Sequence, residues 1–154
     1  MIANNFELVD QYLIFKDFNR IAKEDMNLLG APILEGKAVN KALQAKIKGI
    51  ERSVERISLL QAYDALCLLK NALDMPKLRY ILRTSPCAGN PLLSAFDDVL
   101  RRGLSKILNV DLDDSQWTQT SLPVQMGGLG VRSASMLAPS AFLASAAATL
   151  SLQT

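Results

Sequence analysis

The sequence predicts a mainly α-helical bundle, with a short N-terminal β segment and a small β-hairpin near residues 122–131. Three observations predict it. Of the residues, 49% are hydrophobic but only 6% aromatic, so the apolar content is largely aliphatic and Ala, residues at home in helices. Apolar residues recur at steps of three and four over two long stretches, 38–60 and 91–109. Clusters of Gly and Pro fall between the periodic stretches rather than inside them. A chain of 154 residues suits one domain or a little more, and its apolar content is ample for a core.

The elements follow in chain order. Residues 6–15 mix apolar and polar positions with β-branched and aromatic content and predict one or two short strands. Leu28-Leu29-Gly30-Ala31-Pro32-Ile33 predicts a strand or turn, stopped by Gly30 and Pro32. In 38–60, Val39, Leu43, Ile47, Ile50, Val54 and Ile57 form one helix face. Lys41, Lys48, Arg52 and Arg56 form another stripe, interleaved with Glu51 and Glu55 in local pairs such as Lys48–Glu51. Gly49 inside this helix costs about 1 kcal/mol of propensity against Ala and marks a close contact or a bend.

Residues 61–73 continue helical, with Ala62, Leu66, Leu69 and Leu73 on one face. Pro76 opens a further short helix carrying Leu78, Tyr80, Ile81 and Leu82. Ser85-Pro86-Cys87-Ala88-Gly89-Asn90-Pro91 is a loop that ends in an N-cap at Asn90. The helix 91–109 turns Leu92, Phe96, Val99, Leu100, Leu104 and Ile107 inward. Residues 111–121 predict a loop or short helix around Trp117. Residues 122–131 alternate about a Gly-Gly turn and predict the hairpin. The Ala- and Ser-rich segment 134–152 predicts a helix with Pro139 in its first turns.

Composition excludes several chemistries. The chain has no His, which removes Ser-His-Asp and Cys-His catalysis, His-ligated zinc and the usual neutral-pH acid–base group. Cys67 and Cys87 lack a metal spacing; the first reads as a buried hydrophobe and the second lies in a turn. The opening Met1-Ile2-Ala3-Asn4-Asn5 has no basic or apolar leader, so no signal peptide is expected and an intracellular location, cytoplasm or nucleus, follows. Net charge is only +2, so any affinity for nucleic acid has to be local. No charged residue follows Arg132, yet the tail is mostly Ala and Ser, which packs on protein better than it inserts into a membrane.

Two motifs invite chemistry. Ala95-Phe96-Asp97-Asp98 resembles an aromatic-x-Asp-Asp metal site, but that site needs a tight turn between strands. Here Asp97 and Asp98 fall in the early turns of a helix and read as surface charges, paired i,i+4 with Arg101 and Arg102. Asp113-Asp114 reads as a loop or helix start. Gly127-Gly128-Leu129-Gly130 fits neither a dinucleotide fingerprint nor a phosphate loop and reads as a turn. The basic stripe, with Lys70, Lys77, Arg79 and Arg83 after it, can track a phosphate backbone without reading sequence, or simply solvate a helix.

The order of Leu28-Leu29-Gly30-Ala31-Pro32-Ile33, basic amphipathic helices, and Leu122-Pro123-Val124-Gln125-Met126-Gly127-Gly128-Leu129-Gly130-Val131-Arg132-Ser133 with Ala141-Phe142-Leu143-Ala144-Ser145 resembles the region after the catalytic palm in reverse transcriptases of non-LTR (LINE-like) retrotransposons. The resemblance spans roughly residues 4–150, and Asn4-Asn5-Phe6-Glu7-Leu8-Val9 is similar to the strand that follows the family's catalytic hairpin, without its Lys and Cys. It implies a palm and primer-grip remnant over 1–36, a helical thumb over 37–110, and a post-thumb hairpin and Ala-rich helix over 111–154, packed on the same domain. It implies a primer grip at Leu29, Gly30 and Ala31, and phosphate contacts at Lys41, Lys48, Arg52 and Arg56. The family's Mg²⁺ chemistry belongs to the palm, so the fragment is expected to have no catalytic or metal residue, no cofactor and no small-molecule substrate, and not to polymerise alone. The expected partner is an RNA–DNA duplex, with no membrane, and an unpaired strand edge near 6–15 implies self-association. Two other readings stand beside it: a helical protein-interaction module and a translated relic without function.

Overall fold

A computed structural model describes residues 26–32 and 36–150. The predicted strands at 6–15, and the resemblance at 4–9, lie outside these residues. The described chain begins with a two-stranded antiparallel hairpin, β1 (Asn27–Leu28) and β2 (Ala31–Pro32), with Leu28 opposite Ala31. Helices follow: α1 (Lys37–Ile57), α2 (Ala62–Leu68), α3 (Met75–Thr84), α4 (Pro91–Leu108), α5 (Asp114–Ser121) and α6 (Ala134–Thr149). The fold is thus mainly helical with a small β-hairpin near the N-terminus.

The periodic residues form the core. Val39, Leu43, Ile50, Val54 and Ile57 of α1 face Leu93, Phe96, Leu100 and Leu104 of α4, all buried. The strongest packing pairs are α1 with α4, and α3 with α6. Gly103 lets the first pair approach closely. A Cβ there would lie 2.7 Å from a methyl of Val54, closer than van der Waals contact allows. Gly49, where a contact or bend was expected, has open space around its Cα instead. Leu93 is fully buried, whereas Leu92, expected inward, is only partly so.

Local chemistry fixes the ends. The Asn90 side chain accepts from the Leu92 amide at 3.0 Å and Pro91 opens α4, as the sequence predicts. Helix α4 stops at Asn109, in the left-handed conformation. Asp113 and Gln116 form a reciprocal capping box at the start of α5, which draws the Asp113 carboxyl below its ordinary pKa. Beyond α2 the chain widens into a π-helical turn (Leu69–Leu73), closed by the Asp74 amide on the Leu69 carbonyl at 2.9 Å. That turn keeps Leu69 and Leu73 both in the core and delivers Asp74 to the bundle interior.

The predicted hairpin at 122–131 does not form. After α5 the chain makes a 3₁₀ turn (Val124–Met126), and its amides fold back onto the end of α5. Leu129 and Val131 both donate to the Thr120 carbonyl, and Gly130 donates to the Leu122 carbonyl at 2.9 Å. The helix end supplies the acceptors that a partner strand would have offered. Gly128 is required for this fold-back, because a Cβ would stand 2.1 Å from the Leu122 carbonyl oxygen.

Gly103→Ala is expected to destabilise the chain by about 1–3 kcal/mol through overpacking against Val54, read as a lower urea midpoint. Gly49→Ala, in open space, is expected to be neutral or stabilising in the same measurement.

Candidate nucleic-acid interface

The pair that resembles a metal motif has a structural use. Asp97 is not a surface charge, as the sequence suggested; it is buried, while Asp98 is exposed. Neither pairs with Arg101 or Arg102 within ion-pair distance. Asp97 instead accepts four hydrogen bonds from the start of α6. Its Oδ1 takes the Ala134 amide at 2.7 Å, and its Oδ2 takes the Ser133 and Ser135 hydroxyls at 2.7 Å each and the Ser135 amide at 3.1 Å. Two of these donors are amides of a helix N-terminus, which have no partner within the helix and where negative charge is favoured; the other two are serine hydroxyls. The sequence placed the acid correctly on α4 but could not show that α6 would arrive beside it.

A second carboxylate holds the other side of the same segment. Asp74 Oδ2 accepts from the Arg132 amide at 2.9 Å, while Oδ1 is buried with no hydrogen-bond partner among the described residues. Burial, opposed by the Arg132 amide and charge, pushes the Asp74 carboxyl up from about 3.8 to about 6. Val131, fully buried, lies next to the Arg132 amide bond and just before the Ser133–Ser135 grip. The string 122–133 is therefore a strap clasped by two helices. Among the described residues, no cluster of His, Cys, Asp or Glu is arranged to hold a metal.

The remaining site residues face outward. Leu29 and Gly30 form the hairpin tip with positive φ at both positions, the geometry of a tight turn between strands. Leu29 is 89% exposed, and Pro32 of β2 is buried where β2 packs on α1 and α3. The tip thus projects from an anchored base, with Ala31 half-buried beneath it. Lys41, Lys48, Arg52 and Arg56 are all exposed on the side of α1 away from its core face. The expected Lys48–Glu51 ion pair is absent; Lys48, Arg52 and Arg56 make no ion pair with a described acid. The Arg52 Nε–H reaches only the Lys48 carbonyl, at 3.4 Å.

Other cations divide into used and unused. The Arg101 guanidinium is consumed internally by the Leu112 carbonyl and by Asp114 at 2.6 Å, so it braces the α4–α5 connection. Arg79 and Arg83 line an open groove of about 390 Å³ between α3 and α6. Tyr80, carried on the helix that the sequence predicts after Pro76, lies in that groove 46% exposed, because α6 covers only part of that face. Cys67 and Cys87 are both free thiols, the first half-buried and the second buried.

Among the described residues, no helix is long and apolar enough to cross a membrane. Comparison with protein-family profiles, with curated proteins and with solved structures finds no match.

Two outcomes test the clasp. Asp97→Ala leaves the α6 N-terminus without its acceptor and is expected to cost roughly 3–5 kcal/mol, with α6 amides losing hydrogen-exchange protection first. For Asp74 the folded chain holds a proton between about pH 4 and 6 that the unfolded chain has released. Stability therefore falls as pH rises through that window, and the penalty is fully present above it. Asp74→Asn is expected to flatten this fall in urea-unfolding free energies compared with the parent across the window.

Proposed function

We propose that the chain holds a nucleic-acid duplex by its backbone, in the manner of the thumb and post-thumb region of a non-LTR retrotransposon reverse transcriptase. The observation that carries the reading is the outward cationic stripe of α1, the helix on which the base of the hairpin is anchored. Lys41 and Arg56 are 15 residue steps apart, about 22 Å of helix. That length covers roughly six base-pair steps at about 3.4 Å per step on one strand. Contacts of this kind set position and register and carry no sequence information.

The order of the strings supports the family reading. In this reading Leu29 and Gly30, at the exposed tip, with Ala31 beneath them, act as the primer grip, since exposed backbone at a tight turn can approach a strand closely. The Gly-rich string adds its order in the chain to this reading; within the fold Gly128 serves the fold-back onto α5. Bond-making is assigned to the family's palm and not to Phe96-Asp97-Asp98, because Asp97 is fully engaged by α6.

A second reading, a protein-interaction module, draws on α6. This helix carries no charge, and Met136 and Leu143 are largely exposed on it.

Fluorescence anisotropy with a labelled RNA–DNA heteroduplex separates the two. The parent is expected to bind with an affinity that falls steeply as salt rises. The triple variant Lys48→Glu, Arg52→Glu, Arg56→Glu is expected to bind more than tenfold more weakly and to lower the log–log salt slope by about 3. No binding at low salt, or an unchanged slope in the variant, rejects duplex holding and leaves the interaction module.

A further inference from the structure

The groove between α3 and α6 lies on different elements from the α1 stripe, and its chemistry differs. Its wall is one face of α3: Pro76, Arg79, Tyr80, Arg83 and Thr84, facing Ser145 of α6. Arg79 and Arg83 are one turn apart, so their guanidinium groups reach the same side of the helix. Neither makes an ion pair or hydrogen bond with another described residue, and both are exposed. No acid opposes them locally: α3 has no Asp or Glu within it, and α6 has no charged residue at all. Among the described residues the groove is therefore a concave, net-positive surface whose cations have no counter-charge.

Tyr80 follows Arg79 in the helix and lines the same groove wall, to one side of the two arginines. Its ring is half out of the protein, and its hydroxyl has no hydrogen-bond partner among the described residues. The Thr84 hydroxyl is already spent on the Tyr80 carbonyl at 2.8 Å, which fixes the last turn of the helix beneath the ring. Ser145 contributes a further hydroxyl that makes no described hydrogen bond. An aromatic ring on the same groove wall as two guanidinium groups that have no partner among the described residues, in a groove of about 390 Å³, matches one ligand chemistry: a planar base with its adjoining phosphates. A duplex cannot use it, because its bases are already stacked on one another.

From this geometry we propose that the α3–α6 groove binds a nucleoside-phosphate unit of a single-stranded nucleic acid, with Tyr80 stacking on the base and Arg79 and Arg83 holding the flanking phosphates. Ser145 offers the base or sugar a hydrogen bond. This site is separate from the duplex surface on α1 and does not depend on it. The two together would let one chain distinguish a strand end or overhang from a continuous duplex.

The test uses the full chain and three probes: a fluorescein-labelled oligothymidylate, a blunt RNA–DNA heteroduplex, and thymidine monophosphate as competitor. Tyr80→Ala is expected to weaken oligothymidylate binding about tenfold and to leave heteroduplex binding unchanged, while Tyr80→Phe retains both. The double variant Arg79→Ala, Arg83→Ala is expected to weaken the oligothymidylate and to lower its salt slope by about 1.4. Circular dichroism melts of each variant check folding, which the exposure of these side chains favours. The α1 triple variant is expected to lose the heteroduplex and keep the oligothymidylate, so failure of duplex holding would leave this site standing. The proposal is overturned if Tyr80→Ala binds the oligothymidylate like the parent, or if it loses both probes equally. Displacement of the oligomer by inorganic phosphate alone, or by thymidine monophosphate at matching concentration, would also overturn it, in favour of simple charge attraction or a free nucleotide.

Discussion

The Asp97 carboxylate, buried on α4 and accepting four hydrogen bonds from Ser133, Ala134 and Ser135, determines where the last third of the chain lies. Helix α6 needs such a pin. It is apolar on nearly all sides, so hydrophobic burial, which has no direction, does not choose a face for it. A charge-assisted cluster at one end does choose, because it fixes both the position and the polarity of the helix. Once the N-terminus is fixed, small Ala134 and Ala138 allow α6 to lie close against the bundle.

The strap that precedes α6 is held from two sides. Asp74 takes the Arg132 amide from the end of the π-helical turn, and the end of α5 takes the amides of Leu129, Gly130 and Val131. Asp74 is the less comfortable of the two acids. Its Oδ1 is buried with no hydrogen-bond partner among the described residues, and burial raises its pKa. Both oxygens of Asp97 accept hydrogen bonds. A string that resembles a functional motif is thus first a structural device: Val131 plugs the core, Gly128 clears two carbonyls, and the two acids close the clasp.

With Asp74, Asp97 and Arg101 turned to internal use, the cations that stay outside are sorted by what opposes them. Arg101 is braced against Leu112 and Asp114 and contributes to the fold. Arg79 and Arg83 border a groove whose far wall carries no charge at all, and Lys48, Arg52 and Arg56 lie along a solvated helix. A net charge of +2 conceals this separation, because it counts alike the exposed acids and those set in the fold, Asp74 and Asp97 in the clasp and Asp113 at a helix cap. Local field, more than total charge, is what a phosphate backbone meets.

Local chemistry written in neighbouring residues was legible from the sequence. The three- and four-residue spacing of Val39 to Ile57 and of Phe96 to Ile107 determined two long helices and their buried faces. Asn90-Pro91 determined a helix start, and Leu29-Gly30 a turn. The outward placement of Lys41, Lys48, Arg52 and Arg56 followed from the same period. Tertiary structure decided what depends on residues far apart in the chain. Asp97 was buried because Ser133–Ser135, some 36–38 residues away, came to satisfy it. The alternating pattern of 122–131 became a fold-back because the carbonyls of α5 were nearer than any partner strand. Tyr80 stayed at the surface because α6 covers only part of the α3 face. Hydrogen-bond acceptors and covering surfaces are supplied by other elements, so periodicity within one segment cannot specify them.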